Sequence, residues 1–200
     1  EALARFGWVK RTTLIPPSEM AVSLRDILVT GRMNEDISAP LLAVAAALAA
    51  AVSVGFVAGV VLHRLPPLRR LMDPLFAAYY AVPHFVFYPI LIVLFGMTRV
   101  PLVVLGFLFA VVAMIINTMN GLDRIPRVLL KVARTNRLGP VRTAWFIVLP
   151  STAPYLFTGV KLSVAYSFIG VIAGEFILSG IGIGHQIAYA YDNFDNRTMY

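Results

Sequence analysis

Three stretches of this chain run without a charged side chain for longer than a helix needs to cross a lipid bilayer. Leu41–Leu62 has 22 such residues, Pro74–Thr98 has 25 and Val100–Leu122 has 23. About 20 apolar residues suffice for a spanning helix. Within the hydrocarbon core, every backbone N–H and C=O must be bonded inside the protein. A single run could be a buried core helix of a soluble protein. Three in a chain of 200 residues leave too little polar chain to cover them. The composition agrees: 59% of residues are AVILMFWYC and 14% are charged, against about 25% charged in soluble domains. Mean hydropathy is +0.80, which also excludes disorder. A membrane β-barrel would show segments of roughly 10 residues with alternating polarity, and the chain has none. The expectation is an all-α polytopic membrane protein forming one transmembrane domain, 1–200.

A fourth run is interrupted. Thr143–Val160 and Leu162–Gly174 are separated only by Lys161, and Phe176–Tyr191 follows Glu175. The expected spans are therefore 40–62, 74–95, 99–119 and 158–178. Segment 1–39 lies outside the membrane before them and segment 179–200 after them. In the first segment, Pro16-Pro17-Ser18 precedes Glu19-Met20-Ala21-Val22. This reads as a Ser18-capped amphipathic helix ending near Thr30, with Ser18 as a plain turn residue the alternative. Ala2–Val9 reads as the tail of an earlier span. Four spans put both ends outside the cytoplasm, so a further span is expected on each side, about six in the full chain. No signal peptide or internal repeat is visible.

Charge gives the orientation. The loops His63–Asp73 and Asn120–Val148 carry nine basic residues against Asp73 and Asp123, and so hold the entire net charge of +7. Short loops rich in Lys and Arg stay in the cytoplasm. The basic balance is thus a topology signal, and nucleic-acid binding is the weaker reading.

The loop 120–150 is too long for a simple connection. Its core, RVLLKVARTNRLGPVRTAWFIVLPSTAP from Arg127 to Pro154, has a basic helical half, a break at Gly139-Pro140 and an apolar half. Leu129, Leu130, Val132, Ala133 and Leu138 are too apolar for a disordered loop. They read as the docking stripe of a helix-turn-helix that packs on a soluble partner. An interfacial helix on anionic lipid is the alternative.

Chemistry-bearing residues are sparse. With no cysteine and three scattered histidines, no catalytic constellation or metal site can be assembled. Glu175 is either a pathway carboxylate or a cap on the turn Gly180–Gly184. Lys161 reads as a residue near the cytoplasmic end of the fourth span, its head drawn to the headgroups. Tyr79, Tyr80, His84, Asn117, Asn120, Ser163, Ser167 and Glu175 are candidates for a polar translocation path. His84 bonded between helices, and Asn117 and Asn120 gluing helices together, are the alternatives. Gly180-Ile181-Gly182-Ile183-Gly184 has the glycine density of a phosphate loop but no GK[ST], and is not read as one.

The long loop resembles the "EAA---G---------I-LP" signature of permease subunits in binding-protein-dependent ABC importers. Val132-Ala133 matches its paired alanines and Ile147-Val148-Leu149-Pro150 its closing residues. Further pieces resemble the nitrate/sulfonate/taurine branch. They are Ile15-Pro16-Pro17-Ser18-Glu19, Val82-Pro83 through Pro89-Ile90-Leu91, Leu94-Phe95-Gly96, Gly159-Val160-Lys161 with Glu175, and Gly180-Ile181-Gly182. The motif Glu falls on Lys131 and the motif Gly on Arg137, so either the turn has moved to Gly139-Pro140 or the docking is altered. The resemblance implies a type I importer permease in the bacterial inner membrane. It would form a solute path and perform no chemistry itself. It would couple to its ATPase through 127–150, using Leu129, Leu130, Lys131, Val132, Ala133, Arg134, Arg137, Leu138, Gly139 and Pro150. Implied partners are a second permease copy or paralogue, two cytoplasmic P-loop ATPases that bind ATP and Mg, and a periplasmic or lipid-anchored solute-binding protein. Implied solutes are nitrate, sulfonate, taurine or an aromatic carboxylate. Residues alone also allow a proton-coupled transporter through Glu175, or a membrane enzyme pairing Glu175 with His84.

Overall fold

The computed structural model describes residues 15–195 and 199, with Leu178 described by its backbone alone; the apolar tail Ala2–Val9 lies outside these residues. Among the described residues the secondary structure is helical throughout. Helix α1 is Pro17–Thr30, α2 Asn34–Arg64, α3 Pro66–Tyr79, α4 Tyr88–Phe95, α5 Val100–Asp123, α6 Arg127–Thr135, α7 Pro140–Thr143, α8 Leu149–Leu178 and α9 Ile183–Asp192. A 3-10 turn at His84–Phe87 precedes α4, and a π turn at Ala144–Val148 joins α7 to α8. Three helical stretches are long and apolar enough to cross a membrane: Asn34–Arg64, Val100–Asp123 and Pro140–Ile177.

Helix α5 is the central strut. It packs along α2 on one side and α8 on the other. The core Ala51, Leu62, Phe76, Val111, Ile115 and Met119 gathers around it. Apolar burial gives little drive between helices already in lipid, so close contact depends on small residues. The tightest crossing shows this. A Cβ on Gly170 would lie 2.8 Å from the Cα of Gly106, and one on Gly106 would lie 2.9 Å from the Cβ of Ala47. Ala47 is fully buried at the same level. Here α5 and α8 meet backbone to backbone and α2 adds only the Ala47 methyl, where any larger side chain would separate them.

The expected second span, 74–95, is not one straight helix. Pro66–Tyr79 and His84–Phe95 meet at an angle of 96°. Pro83 supplies no N–H and disfavours a helical Val82. The chain leaves α3 through short bonds, Ala81 N–H to Ala78 O and Val82 N–H to Tyr79 O. The helix that holds the first expected span begins at Asn34, six residues before it, with Pro40 inside the helix.

The helix that holds the fourth expected span begins earlier than residue 158. Helix α8 starts at Leu149, with Pro150 in its first turn, where the missing proline N–H is no loss. The π turn bonds Leu149 N–H to Ala144 O and carries the helix back to Pro140. The loop 120–150 is shorter at its front as well, because α5 runs on to Asp123.

Helix α1 ends at Thr30 as expected, with Gly31 left-handed at φ 63°. Its start differs. Pro16 is the N-cap, no side chain caps the helix, and Ser18 lies inside the first turn. Pro17 at the first helical position already has the required φ.

Candidate functional site

The two ends of the bundle carry different chemistry. At one end, Asp123 on the last turn of α5 accepts both guanidinium N–H groups of Arg69 on α3, at 3.0 and 2.7 Å. Nε2 of His63, on the last turn of α2, lies 3.3 Å from the same carboxylate. These contacts bring the two basic loops to one end of the molecule.

The long loop leaves from this clasp. Pro126 breaks α5 from α6, and α6 is closed by two bonds. Leu138 N–H donates to Ala133 O at 2.9 Å, and Arg137 N–H to Arg134 O at 3.0 Å. This is the Schellman arrangement, which needs a left-handed residue just past the helix end. Arg137 occupies that position at φ 48°. The turn has therefore not moved to Gly139, which is extended at φ −64°, ψ 164°. The arginine itself adopts the conformation that glycine would take more cheaply.

Closure of α6 divides its apolar residues between two faces. Ala133 is buried, and Leu130 and Leu138 are half-buried. All three line a cavity of about 710 Å³ against Val60, Leu122 and Leu156 of the chain's own helices. Val128, Leu129 and Val132 point away at 68%, 38% and 47% exposure, beside exposed Lys131, Arg134 and Arg137. The single outward stripe expected from sequence is thus two faces. Leu130, Ala133 and Leu138 turn toward the bundle across this cavity, whose other walls come from α2, α5 and α8, and α6 itself contacts the π turn Ala144–Val148. Gly139 is exposed, and Pro150 is the second residue of α8.

At the opposite end, α9 begins on two carboxylates. The N–H groups of a helix's first turn lack internal partners and carry partial positive charge. Glu175 on α8, 2% exposed, accepts from Gly184 N–H at 3.1 Å. Asp36 on α2 accepts from Gly182 N–H at 2.9 Å and from Gln186 Nε2 at 3.0 Å. Gly182 sits at φ 125°, and a Cβ there would collide with the Glu175 carboxylate, so only glycine serves. Glu175 has the geometry of the turn cap, and Asp36 is a partner that sequence reasoning missed. The N–H groups of Ile181, Gly182 and Gly184 in the glycine turn are thus all satisfied from within the chain, the first by Ser179 Oγ at 3.3 Å.

The remaining polar candidates are dispersed. His84 is buried with its ring 4.4 Å from Tyr79 and 4.8 Å from Phe109. Tyr79 Oη donates to Leu108 O at 2.8 Å, and Tyr80, half exposed, lies 5.4 Å from the Tyr166 ring. Ser163 Oγ donates to Ala110 O at 3.3 Å across the α5–α8 contact. Ser167, fully buried, has no partner for its Oγ among the described residues. Asn117 Nδ2 bonds back to Ala113 O, and Asn120 is exposed. The aromatic group at His84 and the carboxylates at α9 are separate clusters; no hydrogen bond or ring contact joins His84 to Glu175 among the described residues.

Lys161 is not near the cytoplasmic end of its helix. Ser163 faces Ala110, and a Cβ on Gly159 would touch Met114 and Asn117. Lys161 is therefore level with residue 112, the middle of Val100–Asp123, about 17 Å from either end of α5. Its side chain is exposed, and no hydrogen bond or ion pair reaches it among the described residues. In lipid, a charge at that depth costs about 2.5–3.5 kcal/mol or more.

The chain matches, over residues 51–200, the family model described as binding-protein-dependent transport system inner membrane component. It is 31% identical over 163 residues to a nitrate import permease of Leptolyngbya laminosa, covering 82% of this chain and 58% of that protein. It is 32% identical over 139 residues to a bicarbonate transport system permease of Synechocystis, covering 69% and 50%. A taurine transport system permease of Escherichia coli is 26% identical over 184 residues, covering 88% and 66%. The chain thus spans only 58% and 50% of the first two of these relatives.

Proposed function

Because this chain belongs to the binding-protein-dependent inner-membrane transport components, with the type I ABC importer permease fold, we propose that it lines the solute path of an ATP-driven importer. The basic loops at the clasp of Asp123, Arg69 and His63 face the cytoplasm, and α9 faces the opposite side. Helix α6 docks on a P-loop ATPase that hydrolyses ATP, while a solute-binding protein delivers cargo outside. The cargo is a small oxyanion or organic acid. Relatives are named for nitrate, bicarbonate, taurine and aliphatic sulfonates, and each of these solutes carries an oxyanion group.

The observation that carries this reading is the two-faced α6. Leu130, Ala133 and Leu138 turn inward onto a cavity shared with the bundle, while Val128, Leu129 and Val132 are held outward among cations. Movement of a partner seated on the outer face would pass to the bundle through the inner one. A membrane enzyme needs His84 and Glu175 to converge, and their contacts lie in separate clusters.

The test is Val132→Asp in the full-length protein expressed with its ATPase. Burying a valine contributes about 1.5–3 kcal/mol, so placing a carboxylate there weakens ATPase binding roughly tenfold or more. The permease still inserts, because Val132 is exposed on the loop and lies outside every apolar run. Leu138→Asp, by contrast, also loosens the loop from its own cavity. Unchanged ATPase binding and unchanged ATP-dependent uptake in Val132→Asp would remove α6 as the coupling element.

A further inference from the structure

Lys161 is a charge without a partner among the described residues, near the middle of the long apolar run Pro140–Ile177. On the same uncovered side of α8 stand Pro154, Phe157, Thr158, Ala165 and Phe168, all exposed. The stem of Lys161 is four carbons long, too short to bring its ammonium from mid-depth to either headgroup layer. Glu175 cannot neutralise it, being 14 residues or about 21 Å further along the helix and bonded to Gly184. Ionisable residues at this depth face a water-filled path or a protein neighbour, not lipid.

We propose that Lys161 is an anion-binding residue of the translocation path, its ammonium holding a small oxyanion as the solute crosses the middle of the membrane. This rests on the import reading above. A single cation flanked by Phe157 and Phe168, with Thr158 one turn away, suits transient capture. The Thr158 hydroxyl already donates to Pro154 O at 3.0 Å, so among the described residues the ammonium is the one cationic donor on this face. A site for conduction must attract its ion and then release it; one unpaired lysine does so, whereas a cluster of arginines would trap the anion. The face that carries Lys161 is therefore the wall of the path, and not a lipid-facing surface.

The experiment uses the full-length permease assembled with its ATPase and solute-binding protein in liposomes. ATP-dependent uptake of nitrate, bicarbonate, taurine and ethanesulfonate is measured. For the anion that is carried, Lys161→Met and Lys161→Gln are each expected to lower uptake per ATP hydrolysed at least tenfold. Lys161→Arg should retain at least a third, with the subunit ratio of the purified assembly unchanged. These 200 residues hold no cysteine, so once any cysteine elsewhere in the full-length protein is replaced, Thr158→Cys reports the environment. It should react with a charged, membrane-impermeant thiol reagent and be protected by the carried anion. Wild-type uptake that is independent of ATP would overturn the import reading, and this inference with it. ATP-driven uptake unaffected by either neutral substitution would overturn this inference alone. So would a neutral variant whose assembly falls apart, which would mark Lys161 as an intersubunit ion pair, or a Thr158→Cys that only lipid-soluble reagents reach.

Discussion

Arg137→Gly is expected to make the loop that closes α6 more stable. At φ 48°, an L-residue has its Cβ close to the following carbonyl, at a cost of about 1–2 kcal/mol. Glycine escapes that clash but loses more chain entropy on ordering, about 0.5–1 kcal/mol. The difference leaves a net gain of roughly 0.5–1 kcal/mol, a two- to fivefold shift in the local opening equilibrium. The Arg137 side chain is exposed, so little packing is lost. Arg137→Val should shift the equilibrium the other way, because a β-branched residue tolerates positive φ least. Hydrogen exchange of the amides of residues 136–138 reads this directly, since Asn136, Arg137 and Leu138 all donate to the last turn of α6. Slower exchange with glycine and faster exchange with valine are expected, in detergent and without any partner present. Equal or faster exchange with glycine would refute the left-handed closure. Valine exchanging like wild type would do the same.

Two further outcomes follow from the packing. Gly170→Val should disrupt the meeting of α5 and α8, since even a Cβ there approaches Gly106 Cα to 2.8 Å; overpacking typically costs about 1–3 kcal/mol, read as a lower thermal midpoint in detergent, and a midpoint equal to wild type would mean the helices do not touch there. Asp36→Ala should free the start of α9 by removing acceptors for Gly182 and Gln186, seen as faster proteolysis of 179–192, whereas Glu175→Gln keeps an acceptor oxygen for Gly184 and should leave that segment protected; the reverse order would mean the two carboxylates are misassigned.

The spans were legible because the bilayer allows so few solutions. A run of 23 residues without charge, as at Val100–Leu122, can only be a helix there. Prolines were not legible. Pro40, Pro74 and Pro154 continue helices, while Pro83 ends one. The difference lies in whether neighbouring helices hold the chain on either side. Lys161 was misplaced because Pro150 looked like the end of a loop, when it is the first turn of α8. The loop stripe was legible as apolar, but its division into inward Leu130, Ala133 and Leu138 and outward Val128, Leu129 and Val132 depends on where α2, α5 and α8 stand. Asp36 was missed for a similar reason. It lies in a segment of zero net charge, and its partner Gly182 is 146 residues away.

The unbroken run from Pro140 to Leu178 has a mechanical consequence. Thirty-eight residues of this stretch form one rod, roughly 57 Å long. Its inner end carries the seat of α6, and its far end grips α9 through Glu175. A rod resists axial compression far better than a loop does, so a push or twist at Pro140 has few places to dissipate. The looser winding at Ala144–Val148 is one; beyond it the stroke travels whole. At the far end Glu175 and Asp36 hold the same short helix from two different beams, α8 and α2. If those beams slide past each other, α9 must tilt, so this small helix is the pointer on which motion begun at the opposite face would register.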